Sequence, residues 1–105
     1  MAVYFAGFIP TGGVYAALFP DLPGCNTEGE TLEAACALAT EAVHGHIVAL
    51  IDHGDAVPEP SCREDALAKL REQYAALGLG DLPEGLEIRP IPAPELASLT
   101  VLGMC

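Results

Sequence analysis

Residues 19–35, FPDLPGCNTEGETLEAA, limit the possible folds more than any other part of the chain. A strand-like apolar run ends at two prolines and a glycine, and an alanine-rich helical pattern begins within the same segment. Proline cannot donate a hydrogen bond to a neighbouring strand, and Gly24 can adopt a positive φ. The chain therefore changes from strand to helix at a rigid corner formed by residues 19–24. Such a corner is compatible with a catalytic loop, a fold signature or a surface shaped for a partner.

Two short strands are predicted before this corner. Residues 3–9 are rich in aromatic and β-favouring side chains, residues 10–13 form a turn cluster, and residues 14–19 carry apolar side chains on both faces. This pattern predicts an antiparallel hairpin. A sheet with two apolar faces needs two covers, and we expect one to be a helix and the other a second subunit. A short third strand is predicted over residues 25–28.

The longest periodic pattern predicts a central helix that ends at Gly54. Thr31 is a suitable N-cap, and Glu33 lies in the first turn, where the helix dipole favours an acid. Apolar residues then recur at helical spacing: Leu32, Cys36, Ala39, Val43, Ile47 and Leu50. Burying the large members of this stripe contributes roughly 1.5–3 kcal/mol each before entropy. We therefore expect this helix to form the centre of the core.

A second helix and a last strand complete the predicted order. The sequence SCRE at residues 61–64 matches a capping box for a helix over residues 61–77, within which Asp65 and Lys69 are expected to pair. One side of this helix carries Leu67, Leu70, Tyr74 and Leu77. Gly78 is the expected C′ residue, with Leu79 at the apolar position of a Schellman motif. Residues 86–89 alternate as a strand that Pro90, Pro92 and Pro94 are expected to end, which places the last strand at about residues 86–91. Residues 95–105 form a short tail.

The order β-β-β-α-α-β predicts an α+β sandwich of sheet and helix, with one domain over residues 1–105. The apolar runs are shorter than the roughly 18–20 residues that cross a bilayer, and the N-terminus lacks the features of a secretory signal. We therefore expect a cytoplasmic protein that does not enter a membrane.

The charge distribution excludes several classes of partner. The chain has 15 acidic and 4 basic side chains, a formal net charge of −11, and no Lys or Arg before Arg63. Because nucleic-acid binding depends on several cations on one face, the chain is expected to repel DNA and RNA, and anionic membranes as well. The charge either serves solubility alone or steers a basic partner.

Neither the cysteines nor the histidines form a recognisable metal site. The cysteines are widely spaced and are expected to be free thiols: Cys25, Cys36, Cys62 and Cys105. His44 and His46 point to different sides of the central helix. His46 and His53 can share a side, but no further ligand at suitable spacing joins them. The sequence therefore predicts no bound metal and no cofactor.

Catalytic patterns are equally weak. A nuclease site that holds metal through several carboxylates also needs cations to receive a phosphodiester, and the first half of the chain has none. Asp21, between two prolines, is interpreted as a turn residue, and Ser61 as a helix cap. No nucleophile motif or phosphate-binding glycine loop is present. We therefore predict that the protein is not an enzyme.

The corner and the residues after it resemble the N-terminal domain of HicB-type antitoxins, a group of the UPF0150 type. The matching residues are Phe19, Pro20, Asp21, Leu22, Pro23, Gly24, Cys25, Thr27, Gly29 and Thr31. The resemblance covers residues 3–61. It implies a β-β-β-α-β fold, described for the family as a degenerate RNase H-like sandwich without its catalytic site. It also implies that the motif is a fold signature and a possible partner surface.

The function implied by this resemblance is neutralisation of a toxin by protein–protein contact. The implied partner is a small, basic HicA-like toxin with a double-stranded-RNA-binding-domain fold that cleaves mRNA. A homo-oligomer, either a dimer or a tetramer, is also expected. Two alternatives stay open: a stand-alone interaction module without a toxin, and an RNase H-like metal-dependent nuclease. Many relatives carry a C-terminal DNA-binding domain, but only roughly ten residues follow Pro94 here, so we expect no direct DNA binding.

Overall fold

The computed structural model describes residues 3–93, which form a four-stranded antiparallel sheet and two helices. The elements are β1 (Val3–Thr11), β2 (Val14–Leu18), β3 (Asn26–Gly29), α1 (Leu32–Asp52), α2 (Arg63–Ala76) and β4 (Glu87–Pro92). The strand order in the sheet is β3-β2-β1-β4, so β3 and β4 are its edges. The predicted α+β fold and order of elements are confirmed. The RNase H-like relationship and the single-domain extent stay predictions, and the tail at residues 95–105 lies outside the described residues.

The hairpin turn is tighter than the sequence indicated. Thr11 pairs with Val14, which leaves only Gly12 and Gly13 between the strands, with φ values of 56° and 85°. Two consecutive positive φ values are typical of a type I′ turn, whose twist matches that of the adjoining strands. The prediction of a turn over residues 10–13 was therefore too long, because β1 continues through Pro10 to Thr11.

The two helices cover opposite faces of the sheet. A Cβ added to Gly29 would lie 2.5 Å from the backbone nitrogen of Ala35 in α1, whereas one added to Gly7 would lie 2.5 Å from Cδ2 of Leu70 in α2. Gly29 pairs with Tyr15 and Gly7 with Leu18, and residues 15 and 18 of one strand point to opposite faces. The second cover, which the sequence assigned to another subunit, is therefore provided in part by α2.

The main core lies between α1 and the sheet. Its largest buried side chains include Tyr4, Phe8, Leu22, Val43 and Ile47. In α1 the buried positions are Ala35, Ala39, Val43 and Ile47. The predicted stripe also contained Leu32, Cys36 and Leu50, which are only half-buried at the edge of this contact. The stripe is shifted toward Ala35 because close packing of α1 on β3 at Gly29 requires small side chains.

The ends of α1 confirm the predicted caps. The Thr31 hydroxyl accepts a hydrogen bond from the Ala34 nitrogen at 3.0 Å. Gly54 has a φ of 74°, and its N–H donates to the Ile51 carbonyl, while the Asp55 N–H donates to the Leu50 carbonyl. These two bonds form a Schellman motif, which satisfies carbonyls in the last turn of the helix.

The C-terminal end of α2 has the same geometry. Gly78 has a φ of 76°, and the N–H groups of Gly78 and Leu79 donate to the carbonyls of Ala75 and Tyr74. The prediction that Gly78 ends the helix is confirmed. Leu79 nevertheless remains 57% exposed, so most of its side chain lies outside the expected apolar contact. Leu77 is 74% exposed and does not join the buried side of α2, which consists of Ala66 and Leu70.

The strand β4 runs through the prolines that were expected to end it. Pro90 pairs with Phe5, and Pro92 pairs with Val3. Proline is tolerated in an edge strand where its nitrogen faces away from the neighbouring strand. The prediction that these prolines terminate the strand was wrong, because β4 pairs only with β1 among the strands of residues 3–93.

By length and composition alone, α1 is the one helix among residues 3–93 that qualifies as a candidate membrane span. Its uninterrupted apolar runs are short, so the sequence did not predict a membrane span here. The core helix of a soluble protein satisfies the same criterion. In this fold, α1 packs Ala35, Ala39, Val43 and Ile47 into the core.

Candidate functional site

The corner after β2 is organised around a buried carboxylate, Asp21, which is 6% exposed. Its Oδ2 accepts a hydrogen bond from the backbone nitrogen of Ser61 at 2.8 Å. Its Oδ1 accepts from the Ser61 hydroxyl at 2.8 Å and from Nζ of Lys69 at 2.7 Å. Lys69 also donates to the Ser61 hydroxyl at 2.7 Å. This polar cluster connects the corner to the start of α2, over sequence separations of 40 and 48 residues.

The polar cluster corrects three predictions. Asp21 is a buried acceptor and not simply a turn residue. Ser61 does not cap α2: the N-cap is Cys62, and no side chain caps the helix there. Lys69 pairs with Asp21 rather than with Asp65. The physical reason is that a buried carboxylate requires charge and hydrogen-bond compensation, and the fold brings Lys69 and Ser61 within reach.

A serine beside a lysine and a carboxylate raises the question of nucleophilic catalysis. The hydrogen bond to Asp21 raises the pKa of Lys69, so its amine is protonated near neutral pH and cannot remove a proton from Ser61. Burial acts to raise the pKa of Asp21, but the hydrogen bonds from Lys69 and Ser61, together with the Lys69 charge, outweigh it and hold that pKa below its ordinary value. Both groups are therefore charged, as in a structural ion pair.

Further contacts hold the corner against the rest of the fold. The side-chain amide of Gln73 in α2 donates to the carbonyl of Pro20 at 3.0 Å. Within the corner, the N–H of Leu22 donates to the Phe19 carbonyl at 3.2 Å. The hydroxyl of Tyr4 donates to the carbonyl of Pro58, in the segment between the two helices. The corner, that segment and α2 are thus attached to one another by hydrogen bonds.

Most residues of the family motif are inaccessible to a partner. The buried ones are Phe19, Pro20, Asp21, Leu22, Cys25 and Gly29. Thr27 is half-buried in β3, and Thr31 is exposed but its hydroxyl caps α1. Gly24 adopts a φ of 86°, which allows the chain to reverse. Pro23, Gly24 and Thr31 are therefore the exposed residues of the motif.

Replacing Thr31 by alanine is expected to destabilise the protein by about 1 kcal/mol, because the Ala34 N–H loses its capping acceptor. Replacement by serine keeps an acceptor at the same place and should preserve most of that stability. Urea unfolding followed by circular dichroism measures both variants. Equal losses for alanine and serine would contradict the capping role.

The described residues show no grouping of ligands for a metal ion. Within residues 3–93, no three His, Cys, Asp or Glu side chains lie close enough together to hold one. The cysteines Cys25, Cys36 and Cys62 are free thiols, and Cys105 lies outside the described part. Burial raises the pKa of the Cys25 thiol, so this side chain is protonated and unreactive at neutral pH.

The surface is strongly acidic. Every acidic side chain in residues 3–93 is exposed except Asp21. Among the few cations, Lys69 is paired with Asp21, and Arg89 with Glu87 at 3.3 Å. Arg63 and Arg71 line a groove of about 410 Å³ between α2 and the loop before β4. Within residues 3–93, the Lys and Arg side chains are therefore confined to α2 and β4, the hairpin carries no charged side chain, and the charged side chains of β3 and α1 are acids.

Fold and corner together define the class of protein. The chain belongs to the HicB-like antitoxin family of bacterial toxin–antitoxin systems, whose sequence profile matches residues 10–78. The resemblance seen in the motif is thus confirmed. A curated relative, the UPF0150 protein Ta0767 of Thermoplasma acidophilum, is 35% identical over 52 residues, which cover 50% of this chain and 75% of that protein.

Three solved structures share the fold. A chain of the HicA3 and HicB3 toxin–antitoxin complex has a TM-score of 0.66 at 22% identity, covering 89% of this chain and 99% of that one; at this identity the likeness shows the fold alone. The antitoxin HicB of Burkholderia pseudomallei has a TM-score of 0.68 at 26% identity, covering 92% of this chain and 66% of that one. The structure of its N-terminal domain has a TM-score of 0.64 at 27% identity, covering 90% of this chain and 100% of that one.

Proposed function

We propose that the protein is the antitoxin of a type II toxin–antitoxin pair, which binds and neutralises a small, basic, mRNA-cleaving toxin of the HicA kind. The observation that carries this proposal is the acidic surface of a chain that belongs to an antitoxin family: the net charge is −11 and no cation precedes Arg63. An enzyme that cleaves mRNA needs cations to hold its substrate phosphates. An acidic protein of complementary shape is suited to cover those cations.

Neutralisation in this proposal needs no catalysis by the antitoxin. The acidic surface attracts the toxin, and the bound complex denies RNA access to the toxin both by overlap and by repulsion of phosphates. Charge complementarity of this kind mainly raises the association rate and the specificity, and its contribution falls as salt is added. The fold shared with a chain of the HicA3 and HicB3 complex supports a HicA-like partner.

The runner-up is a stand-alone interaction module of the same fold, without a toxin. It is favoured by a mainly apolar cavity of about 130 Å³ beside the corner. The cavity is lined by residues from the corner and from α2, including Pro23, Leu70, Tyr74 and Leu77. A module of this kind would bind an apolar side chain there and would show no preference for a basic partner.

The test is affinity capture from native lysate at low salt, with mass spectrometry directed at small basic proteins, followed by RNA-cleavage assays with the purified partner. We expect cleavage to stop at one equivalent of the antitoxin, and the affinity of the antitoxin for the toxin to fall as salt is added. The antitoxin alone, incubated with Mg²⁺ or Mn²⁺, should leave RNA intact. Capture of no basic partner, with good coverage of small proteins, would favour the stand-alone module.

We also propose that the chain acts in the cytoplasm as a dimer or tetramer and does not bind operator DNA by itself. Oligomer formation is supported by Val3, Phe5, Val14 and Ala16, which are only half-buried on the sheet face that α2 covers in part. The lack of DNA binding is supported by the net charge. Light scattering over a range of concentrations tests the first, and a gel-shift assay at low salt tests the second.

A further inference from the structure

On the side that faces away from the core, helix α1 exposes several apolar side chains next to the polar residues Glu41, His44 and Asp52. Leu38, Val48 and Ile51 are 40%, 36% and 38% exposed, respectively. Ala37 and Ala49 are exposed on the same side. A surface helix normally has one apolar stripe and an opposite polar face, whereas a helix that is apolar all round is covered on all sides. No element of residues 3–93 covers this outer face, so its composition fits a helix that meets a second molecule.

Gly45 lies on this outer face between Leu38 and Val48. A Cβ at this position would meet no atom within 4 Å, and the backbone is in an ordinary helical conformation. Neither packing against the described residues 3–93 nor a positive φ therefore requires glycine here. Glycine in a helix interior costs about 1 kcal/mol relative to alanine. What the missing side chain provides is space for another backbone to approach α1 closely.

The charges on α1 distinguish between possible occupants. The helix carries Glu33, Glu41 and Asp52, all exposed, and contains no Lys or Arg. A second copy of the same face would bring acidic side chains together without cations, and an anionic lipid surface would repel them. A basic protein segment matches both the exposed apolar side chains and the acidic charges of the face. Its apolar side chains would cover Leu38 and Val48, and its cations would pair with the acids.

We propose that the outer face of α1, centred on Gly45, is the surface on which the basic toxin docks, through a helix that presents small or apolar side chains flanked by lysine or arginine. This inference rests on the proposed function, because it names the contact surface for the same partner. It places the contact away from the family motif, most of whose side chains are buried. Apolar contact around Gly45 contributes affinity, and Glu41 and Asp52 contribute orientation and association rate.

The decisive variant is Gly45→Leu, whose side chain projects into open space in the free protein. Leucine is a better helix former than glycine, so the melting temperature should be equal to or higher than that of the unchanged protein. Affinity for the purified basic toxin, measured by isothermal titration calorimetry, should fall by about 100-fold, the loss typical of a central contact residue. Ala75→Leu, on the exposed side of α2, is the matched control and should leave the affinity unchanged.

A charge test separates docking on α1 from general attraction. The double variant Glu41→Gln and Asp52→Gln should slow association with the toxin and weaken its salt dependence more than the double variant Asp81→Gln and Glu84→Gln, which removes the same charge from an exposed loop. Equal effects of the two double variants would overturn the role assigned to α1.

The outcomes distinguish this inference from the proposed function. Loss of toxin binding in Gly45→Leu, with binding retained in the control, supports the docking face. If the toxin binds Gly45→Leu and the unchanged protein alike, the docking face is refuted while the antitoxin function stands. If the unchanged protein binds no basic toxin, both are refuted. If Gly45→Leu instead abolishes self-association or binding to phosphatidylcholine vesicles, the occupant is a second copy or a membrane, and the toxin assignment is overturned.

Discussion

Replacing Gly29 by alanine is expected to destabilise the protein by about 3 kcal/mol or more, although a methyl group is the smallest possible addition. The new Cβ would lie 2.5 Å from the Ala35 nitrogen, 2.8 Å from the Ala35 Cα and 2.9 Å from the Ala34 carbonyl carbon. These are backbone atoms in the first turn of α1, so no side-chain rotation can relieve the overlap. The helix would have to move away from β3, which would open the core next to Ala35.

The matched control is the same substitution at Gly45, where a Cβ meets no atom within 4 Å. Gly45→Ala should stabilise the protein by about 1 kcal/mol through helix propensity alone. The same substitution is thus expected to lower the stability of the protein at Gly29 and to raise it at Gly45. Urea unfolding of both variants, followed by far-ultraviolet circular dichroism, measures the difference. A Gly29→Ala variant as stable as the unchanged protein would show that α1 does not approach β3 as closely as described.

Replacing Asp21 by alanine is expected to cost about 3 kcal/mol or more at neutral pH. The change removes three hydrogen bonds, two donated by the backbone N–H and hydroxyl of Ser61 and one by the Lys69 ammonium group. Hydrogen bonds that involve a charged group contribute about 1.5–3 kcal/mol each, and the groups left behind lose their acceptor in a partly buried site. The contact between the corner and α2 should loosen as a result.

Two exposed residues supply controls for this prediction. Lys69→Met removes the cation but leaves Asp21 bonded to Ser61, so it should cost less than Asp21→Ala. Asp65→Ala should be close to neutral, since Lys69 pairs with Asp21 and not with Asp65. If Asp65→Ala were the more damaging of the two aspartate variants, the assignment of the ion pair would be wrong.

The pH dependence of stability gives an independent test of Asp21. Its pKa is lowered in the folded protein, so its contribution to the free energy of unfolding is fully present above the unfolded value of about 3.9 and is lost as the pH falls through the folded value. The stability difference between the unchanged protein and Asp21→Asn should therefore be constant from pH 7 to about pH 5 and shrink below about pH 4. A difference independent of pH would contradict a charged Asp21.

The parts of the fold that depend on neighbouring residues were predictable from the sequence. Thr31, Gly54 and Gly78 were identified as helix ends because capping bonds and positive φ values involve residues only a few positions apart. The corner was identified for the same reason, since proline and glycine restrict their own backbone. The order of elements followed from the spacing of apolar residues.

The polar cluster was not predictable because its members are distant in sequence. The sequence around Ser61 is compatible with a helix cap and also with a hydrogen bond to a distant acceptor. Only the fold shows that the Ser61 hydroxyl donates to Asp21. Lys69 likewise has a plausible partner in Asp65, and no local pattern indicates the better one. The signal that was available is Asp21 itself, an acid within residues 19–25, which are otherwise apolar, proline or glycine.

The extent of β4 and the composition of α1 were misjudged for a related reason. Whether Pro90 ends a strand depends on how many neighbours that strand has, which is a property of the sheet. The exposed apolar residues of α1 were not predicted, because alanine and glycine do not stand out in a periodic pattern. The helix as a whole is nevertheless apolar enough to qualify as a candidate membrane span.

The prolines of β4 also determine how the sheet can grow. An exposed sheet edge offers unpaired N–H and carbonyl groups to any other extended chain, and proteins that accumulate in cells need protection against such additions. Pro90 and Pro92 lie at alternate positions of β4 and have no N–H to offer. The opposite edge, β3, spans only Asn26–Gly29 and includes the exposed acid Glu28. Within residues 3–93, both edges of the sheet are therefore poor templates for the addition of a further strand.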